Sequence, residues 1–220
     1  ALPDPFRDFR FGTSSKSTAI FGDTSFNLAS RLELGAGLRE YHDRKRDNAT
    51  GAEATFRATS PRLYGQYRFS DQANTYASAA KGFRSGGFNG DGSTYGPETV
   101  WTYELGLKAA FQAVTAEAAL FHSDYDEYQV VGILVDQPQL GNIISNAGRG
   151  KVRGVEWAVT WRPERDWFLS FSGNHLDTKF YEINATSTAH IVGDALDFVP
   201  EYGYAASAQY DFSMNGTPGF

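Results

Sequence analysis

An alternation of period two runs through nearly the whole chain, and it limits the fold more than any other feature. It is cleanest from Trp101 to Phe111, where Trp101, Tyr103, Leu105, Leu107, Ala109 and Phe111 are apolar. Between them stand Thr102, Glu104, Gly106, Lys108 and Ala110. Only an extended strand puts every second side chain on one side, because a helix returns to the same face at three and four residues. The same division recurs at Leu32, Leu34, Ala36 and Leu38 against Glu33, Gly35 and Gly37. Leu63, Gly65, Tyr67 and Phe69 alternate with Arg62, Tyr64, Gln66 and Arg68, and Val155, Trp157, Val159 and Trp161 with Gly154, Glu156, Ala158 and Thr160. With Ala19 to Leu28, Thr75 to Phe83, Val114 to Gln129, Trp167 to Asn174 and Glu201 to Asp211, the pattern predicts about nine strands. Between Thr75 and Phe83 the facing is ambiguous.

Connections alternate in length as well. Short polar turns are expected at Ala29-Ser30, Ser70 to Ala73, Gln112-Ala113 and Arg162 to Asp166, and long loops at His42 to Ser60, Arg84 to Pro97, Val130 to Asn142 and Tyr181 to Asp194. Tight turns at one end and long loops at the other are the layout of an outer-membrane barrel. Phe26, Phe69, Tyr76, Phe111, Trp161, Trp167, Tyr210 and Phe212 fall beside the short turns, whereas Tyr41, Trp101, Tyr103, Tyr202 and Tyr204 fall at the long-loop ends. Two aromatic belts with small residues between them match the girdles of a lipid-facing band. A soluble β-sandwich also alternates on its core face, but it has no reason to band aromatics at both strand ends.

Composition closes several other functions. The chain of 220 residues has no Cys, so disulfides, thiolate metal sites and cysteine nucleophiles are excluded. Its net charge of -6 is the wrong sign for a nucleic-acid partner. A mean hydropathy of -0.43 and a longest apolar run of only Val130 to Val135 rule out a transmembrane helix, not a barrel whose strands show lipid only alternate residues. The start, Ala-Leu-Pro-Asp-Pro, lacks a signal peptide's basic and apolar regions, and the expectation is a processed or truncated N-terminus. The four His residues, 42, 122, 175 and 190, lack ligand spacing, and Asp124, Asp126 and Glu127 lack the glycine continuation of a calcium loop. Gly82-Phe83-Arg84-Ser85-Gly86-Gly87 has no following Lys-Ser or Lys-Thr and is not a phosphate loop. No Ser sits in a nucleophile elbow, so no enzymatic role, cofactor or metal is expected. Sequons at Asn48, Asn184 and Asn215 read as Asn/Thr-rich loops.

An ordered series of strings carries a family resemblance. Thr75-Tyr76-Ala77-Ser78 runs into Lys81-Gly82-Phe83-Arg84-Ser85-Gly86-Gly87-Phe88-Asn89, and Pro97-Glu98 precedes Tyr103-Glu104-Leu105-Gly106-Leu107-Lys108. Phe21-Gly22, Gly35-Ala36-Gly37-Leu38-Arg39, Ala119-Leu120-Phe121, Asn146-Ala147-Gly148 and Gly154-Val155-Glu156 complete the series. In order and spacing it resembles the barrel of TonB-dependent outer-membrane receptors. The resemblance implies an all-β, antiparallel up-and-down transmembrane barrel segment over residues 1-220. It also implies a parent of about 22 strands around a plug. Plug, TonB box and a closing C-terminal strand are not visible, so the chain is expected to be a fragment. Implied partners are outer-membrane lipid, the parent's plug, the TonB energy-coupling complex and a small extracellular ligand such as a metal chelate. The implied function is import of a scarce nutrient, for example a ferric siderophore, sugar or cofactor. A passive porin-type channel and a soluble binding module are the competing readings.

The strand faces then assign residues. Trp101, Leu105, Leu107, Phe111, Trp157 and Trp161 are expected to face lipid. Glu33, Arg39, Arg62, Arg68, Glu104, Lys108 and Glu156 are expected to face the lumen, where they hydrate it and hold a plug or lie on the substrate path. Loop residues Phe83, Arg84, Phe88 and Tyr95 combine aromatic faces with a cation, a mixture suited to flat anionic ligands.

Overall fold

A computed structural model describes residues 12–133, 142–184, 190–214 and 217–218. Nine strands form one antiparallel sheet in which each strand lies beside the next large strand of the sequence. They are β1 (Thr13–Ala29), β2 (Leu32–Asp47), β3 (Glu53–Ser70), β4 (Ala73–Arg84), β7 (Glu98–Phe111), β8 (Val114–Asp126), β11 (Gly148–Trp161), β12 (Trp167–Ile183) and β13 (Tyr202–Tyr210). Two small hairpins interrupt this meander: β5 (Gly87–Phe88) with β6 (Thr94–Tyr95), and β9 (Gln129–Ile133) with β10 (Asn142–Asn146).

The register turns the one-dimensional alternation into two faces. Leu34 lies opposite Gly65, Gly65 opposite Ala77, Ala77 opposite Leu105, Leu105 opposite Leu120 and Leu120 opposite Val155. That row is apolar across six strands. The neighbouring row runs Gln66, Tyr76, Gly106, Ala119, Glu156 and Asn174 on the other side of the sheet. Leu105 is 55% exposed and Leu63 62% exposed on the apolar face. Large side chains so open to their surroundings form no soluble-protein core. The buried cluster, Val130, Ala147, Val152, Phe180 and Leu196, sits instead at the long-loop end.

Tight turns fall where expected, at residues 30–31, 71–72 and 112–113, with Gln112 in the left-handed region at φ 41°. The long connections differ from expectation. Most of the segment His42 to Ser60 is strand: β2 and β3 stay paired out to Arg46 and Glu53, so only a short tip containing Gly51 at φ 76° remains. Val114 to Gln129 is not one strand. Glu127 takes φ 55°, which ends β8 and starts a separate hairpin at Gln129. The expected loops Val130 to Asn142 and Tyr181 to Asp194 lie partly outside the described residues.

The ambiguous strand is now resolved: Thr75, Ala77 and Ala79 share the apolar face, and Tyr76 and Ser78 the other. Two belt assignments are thereby corrected. Tyr76 and Tyr41 stand on the charged face, because Tyr76 pairs with Gln66 and Gly106 and Tyr41 with Ala58. Tyr76 gains an acceptor there, since its hydroxyl donates to Glu104. Its ring also occupies the place where a side chain on Gly106 would stand, with ring carbons 2.2 Å from an ideal Cβ. Any larger residue at 106 would evict the tyrosine.

Set in a bilayer with the apolar face outward, Leu105→Arg is expected to cost about 2–4 kcal/mol near the midplane. Glu104→Arg one residue away should cost much less apart from its lost tyrosine contact. Folding free energy of both variants in lipid, in the full-length protein containing this chain, tests the facing. Equal penalties would overturn it.

Candidate functional site

The long-loop ends of the strands converge on the charged face. Lys45 on β2 donates to the Gly86 carbonyl at 2.7 Å, and the buried Asp43 accepts from Ser85 at 2.9 Å and Ser15 at 2.6 Å. The β2–β3 hairpin is thus tied to the loop between β4 and β7. Phe56 fits against Gly86, whose ideal Cβ would lie 2.6 Å from the ring. That loop is tied in turn to the β9–β10 hairpin. Gln129 donates to the carbonyls of Ser85 at 3.2 Å and Gly96 at 2.9 Å, and Asn146 accepts from the Gly96 amide at 2.7 Å. Asn89 both accepts from the Ile144 amide and donates to its carbonyl, each at 2.9 Å. The side chain of Asn184 then reaches the Asn146 carbonyl at 3.0 Å. Amide side chains hold these loops because each carries donor and acceptor and can close on another segment's backbone as a strand would.

Glu98 is a second buried carboxylate of the cluster, and its Oε2 accepts from the Gln129 amide at 2.6 Å. It lies beyond Trp101, at the loop end of β7. Burial pushes its pKa above the ordinary carboxylate range, while the Gln129 hydrogen bond and nearby Arg84 oppose that shift. Tyr128 is driven up to about 12, first by burial and then by the charge of Glu98.

Beneath these loops the wall presents cations beside rings. On β2 and β3 the Arg39 guanidinium lies 5.7 Å from the Tyr41 ring centre, Arg62 lies 4.8 Å from Tyr64, and the Lys45 ammonium 5.8 Å from Phe56. Cation and ring at this separation attract each other and jointly present charge and a flat apolar surface. Arg39 and Arg62 are exposed, and among the described residues no carboxylate closes an ion pair on either. Tyr64 is anchored by donating to Asp23 at 3.0 Å. Nearer the short turns the same face turns acidic: Glu104, Glu117, Glu156 and Tyr76 line a cleft of about 220 Å³. Lys108 approaches Glu117 at 3.7 Å, and Arg68 approaches Glu33 at 3.5 Å.

The sheet brings Glu33, Arg39, Arg62, Arg68, Glu104, Lys108 and Glu156 to one face. Trp101, Leu105, Leu107, Phe111, Trp157 and Trp161 lie on the opposite face. The four loop candidates do not form a unit. Phe83 packs against Tyr41 at 5.7 Å, Arg84 is exposed, and Tyr95 lies across Gly87 in the β5–β6 hairpin, where Phe88 pairs with Thr94. Sequence reasoning placed Tyr41 in a lipid belt and passed over Tyr64 and Phe56. A usable signal was present in the spacing: Arg39 and Tyr41, like Arg62 and Tyr64, are two residues apart on one strand and so share a face.

Glu98→Gln keeps an acceptor for the Gln129 amide and removes a buried charge, so it should leave the loops as protected as in the parent. Glu98→Ala orphans that amide and should destabilise the cluster locally by about 1–3 kcal/mol. Hydrogen exchange at residues 127–130 distinguishes the two.

Comparison with known proteins agrees with this architecture. The family described as TonB dependent receptor-like, beta-barrel, matches residues 1–219. The pesticin receptor of Yersinia pestis is 27% identical over 213 residues, covering 89% of this chain and 30% of its own length. Among solved structures, the ferric yersiniabactin uptake receptor FyuA from Yersinia pestis superposes with a TM-score of 0.74 at 22% identity, over 94% of this chain and 33% of that one. BauA, the ferric preacinetobactin receptor from Acinetobacter baumannii, gives 0.70 at 18% identity, over 91% and 30%. The chain therefore spans about a third of the length of such relatives. These receptor barrels share its fold, and the chain belongs to the TonB-dependent receptor β-barrel family of the Gram-negative outer membrane.

Proposed function

We propose that this chain forms part of the wall of an active importer that captures a small anionic metal chelate outside the cell. The observation that carries the proposal is the cation and ring patch of Arg39, Tyr41, Arg62 and Tyr64 under the interlocked loops. A ferric chelate with flat aromatic donors offers negative charge to the guanidinium groups and a π face to the tyrosines. Two relatives named for ferric yersiniabactin and ferric preacinetobactin support a ligand of this class. In this reading the apolar face meets lipid and the charged face lines the lumen. The acidic cleft of Glu104, Glu117 and Glu156 holds the parent's plug by accepting its cationic side chains, and TonB supplies energy through that plug. Phe83 backs the ligand surface by packing against the Tyr41 ring. Phe88 and Tyr95 shape the loop that closes over it, and Arg84 stands at its rim.

The test is uptake of radioactive iron as ferric yersiniabactin or ferric preacinetobactin by cells carrying the full-length protein. Arg39→Gln with Arg62→Gln, and separately Tyr41→Ala with Phe83→Ala, should each weaken ligand binding roughly 3–10-fold while assembled barrel stays constant. That range corresponds to about 0.6–1.4 kcal/mol, between what exposed and desolvated cation–ring contacts supply. The triple Phe83→Ala, Arg84→Gln, Phe88→Ala should act in the same direction. Unchanged uptake in the first two variants would move recognition off this wall.

A further inference from the structure

The apolar face changes character sharply at its upper edge on β1–β3. Height on a strand can be read from the adjoining short turn. Trp101 of the aromatic belt stands eleven residues from Gln112, and His42 stands eleven from Arg31. Arg44 is thirteen from Arg31, Lys16 fourteen from Ser30 and Arg57 fourteen from Asp71. At about 3.3 Å per residue and a tilt near 45°, these cations lie roughly 5–7 Å above the tryptophan belt. That is the level of lipid headgroups, not hydrocarbon. The register places them together on the outer face: Lys16 lies opposite Arg44, and His42 opposite both Thr18 and Arg57. They line an open cleft of about 650 Å³ with Thr18, Ile20 and Glu40.

Among the described residues the charge there is not balanced: Lys16, Arg44, Arg46 and Arg57 face two carboxylates, Glu40 and Glu53, and Glu53 is taken by Arg44 at 2.6 Å. Among the described residues no ion pair closes on Lys16 or Arg57, and both are exposed. The upper outer face of β8, β11 and β12 is different: Arg149, Lys151, Arg153 and Lys179 are matched in number by Asp124, Asp126, Asp177 and Glu182, and Arg149 pairs with both Asp126 and Glu182. Below the basic cleft, across these strands and the adjoining β4, runs an apolar trough of about 510 Å³. Gly65, Ala36 and Ala77 form its floor, and Phe26, Leu34 and Leu63 its sides. Cations above a greasy trough, on one face, are complementary to one molecule with an anionic head and an acyl tail.

We propose that the outer face of β1–β3 is a specific site for a phosphorylated, acylated lipid of the outer leaflet. Its phosphate enters the cleft between Lys16, Arg44 and Arg57, and an acyl chain lies in the trough beneath. The guanidinium fork of Arg57 matches phosphate oxygens in pairs, and the low water content near the interface strengthens the attraction. The proposal rests on the outward facing of the apolar side.

The experiment uses the full-length protein, purified in detergent and stripped of lipid. Native mass spectrometry titrates it with bis-phosphorylated lipid A, with the same lipid lacking its phosphates, and with inorganic phosphate. The parent should prefer the phosphorylated lipid. Lys16→Gln, Arg44→Gln and Arg57→Gln together should weaken that lipid about 10-fold or more, as near-surface cations do, and leave the dephosphorylated lipid unchanged. Lys151→Gln with Arg153→Gln, in the balanced sector, should change neither. Heat-modifiable migration reports folding; should the triple variant misfold, the exposed single change Arg57→Gln should still lower affinity about 3-fold. Equal affinity for both lipids, equal loss in the control pair, or displacement of the lipid by inorganic phosphate at matched concentration would overturn the proposal. Failure of the facing is separate: neither lipid would bind and Leu105→Arg would assemble normally.

Discussion

Backbone hydrogen bonding between neighbouring strands is the interaction on which everything else here depends. Hydrocarbon offers no partner for an orphan N–H or C=O, so a membrane wall must satisfy each group within the protein. The nine-stranded sheet does so internally from β2 to β12, each strand paired on both sides. Among the described residues β1 and β13 are paired on one side only. Their outer rows of backbone groups require further strands within a bilayer, which agrees with the chain's covering about a third of the length of its relatives.

Register makes that ladder functional. A slip by one residue would exchange the faces, sending Glu104, Lys108 and Glu156 toward the apolar side and Leu105 and Trp157 away from it. Irregularities are confined accordingly: the sheet's register shifts fall at Asn27/Ala29, Arg68/Ser70 and Arg149/Gly150, near strand ends. The central rows remain unbroken. Close cross-strand fits reinforce the register, since the Tyr64 ring covers Gly35 as the Tyr76 ring covers Gly106. In both places the sequence alternates an apolar residue with glycine because the partner strand supplies the side chain for that position.

This explains which parts of the structure were legible in the sequence. Alternation and turn chemistry are local, and they yielded the nine strands, the short turns and the two sets of wall residues. Tyr41 and Tyr76 were misplaced because nearness to a strand end was used where parity decides, and a tyrosine hydroxyl is at home beside Glu104 as well as at a lipid interface. The extent of the β2–β3 hairpin was hidden because its outer half, with Arg44, Arg46 and Arg57 on one face and Asp43 and Lys45 on the other, is charged on both sides and has no hydrophobic period. The loop cluster was invisible for a different reason. Asn89, Gln129 and Asn146 are ordinary loop residues in sequence, and their role exists only through partners roughly 30 to 55 positions away.

The same distinction separates two kinds of recognition surface. Arg39, Tyr41, Arg62 and Tyr64 stand on paired backbone, so their spacing is set by the sheet before any ligand arrives. Phe88 and Tyr95 stand on a two-residue ladder whose position depends on side-chain amides such as Asn89 and Asn146. Free energy to displace the first group must break a ladder continuous with the whole wall, whereas the second yields to the loss of a few solvent-accessible hydrogen bonds. Charge and ring placement therefore reside in the wall, and the proposed closure over a ligand would reside in the loops. On the proposed reading, variation among loops changes which chelate is enclosed without disturbing the strands that cross the membrane.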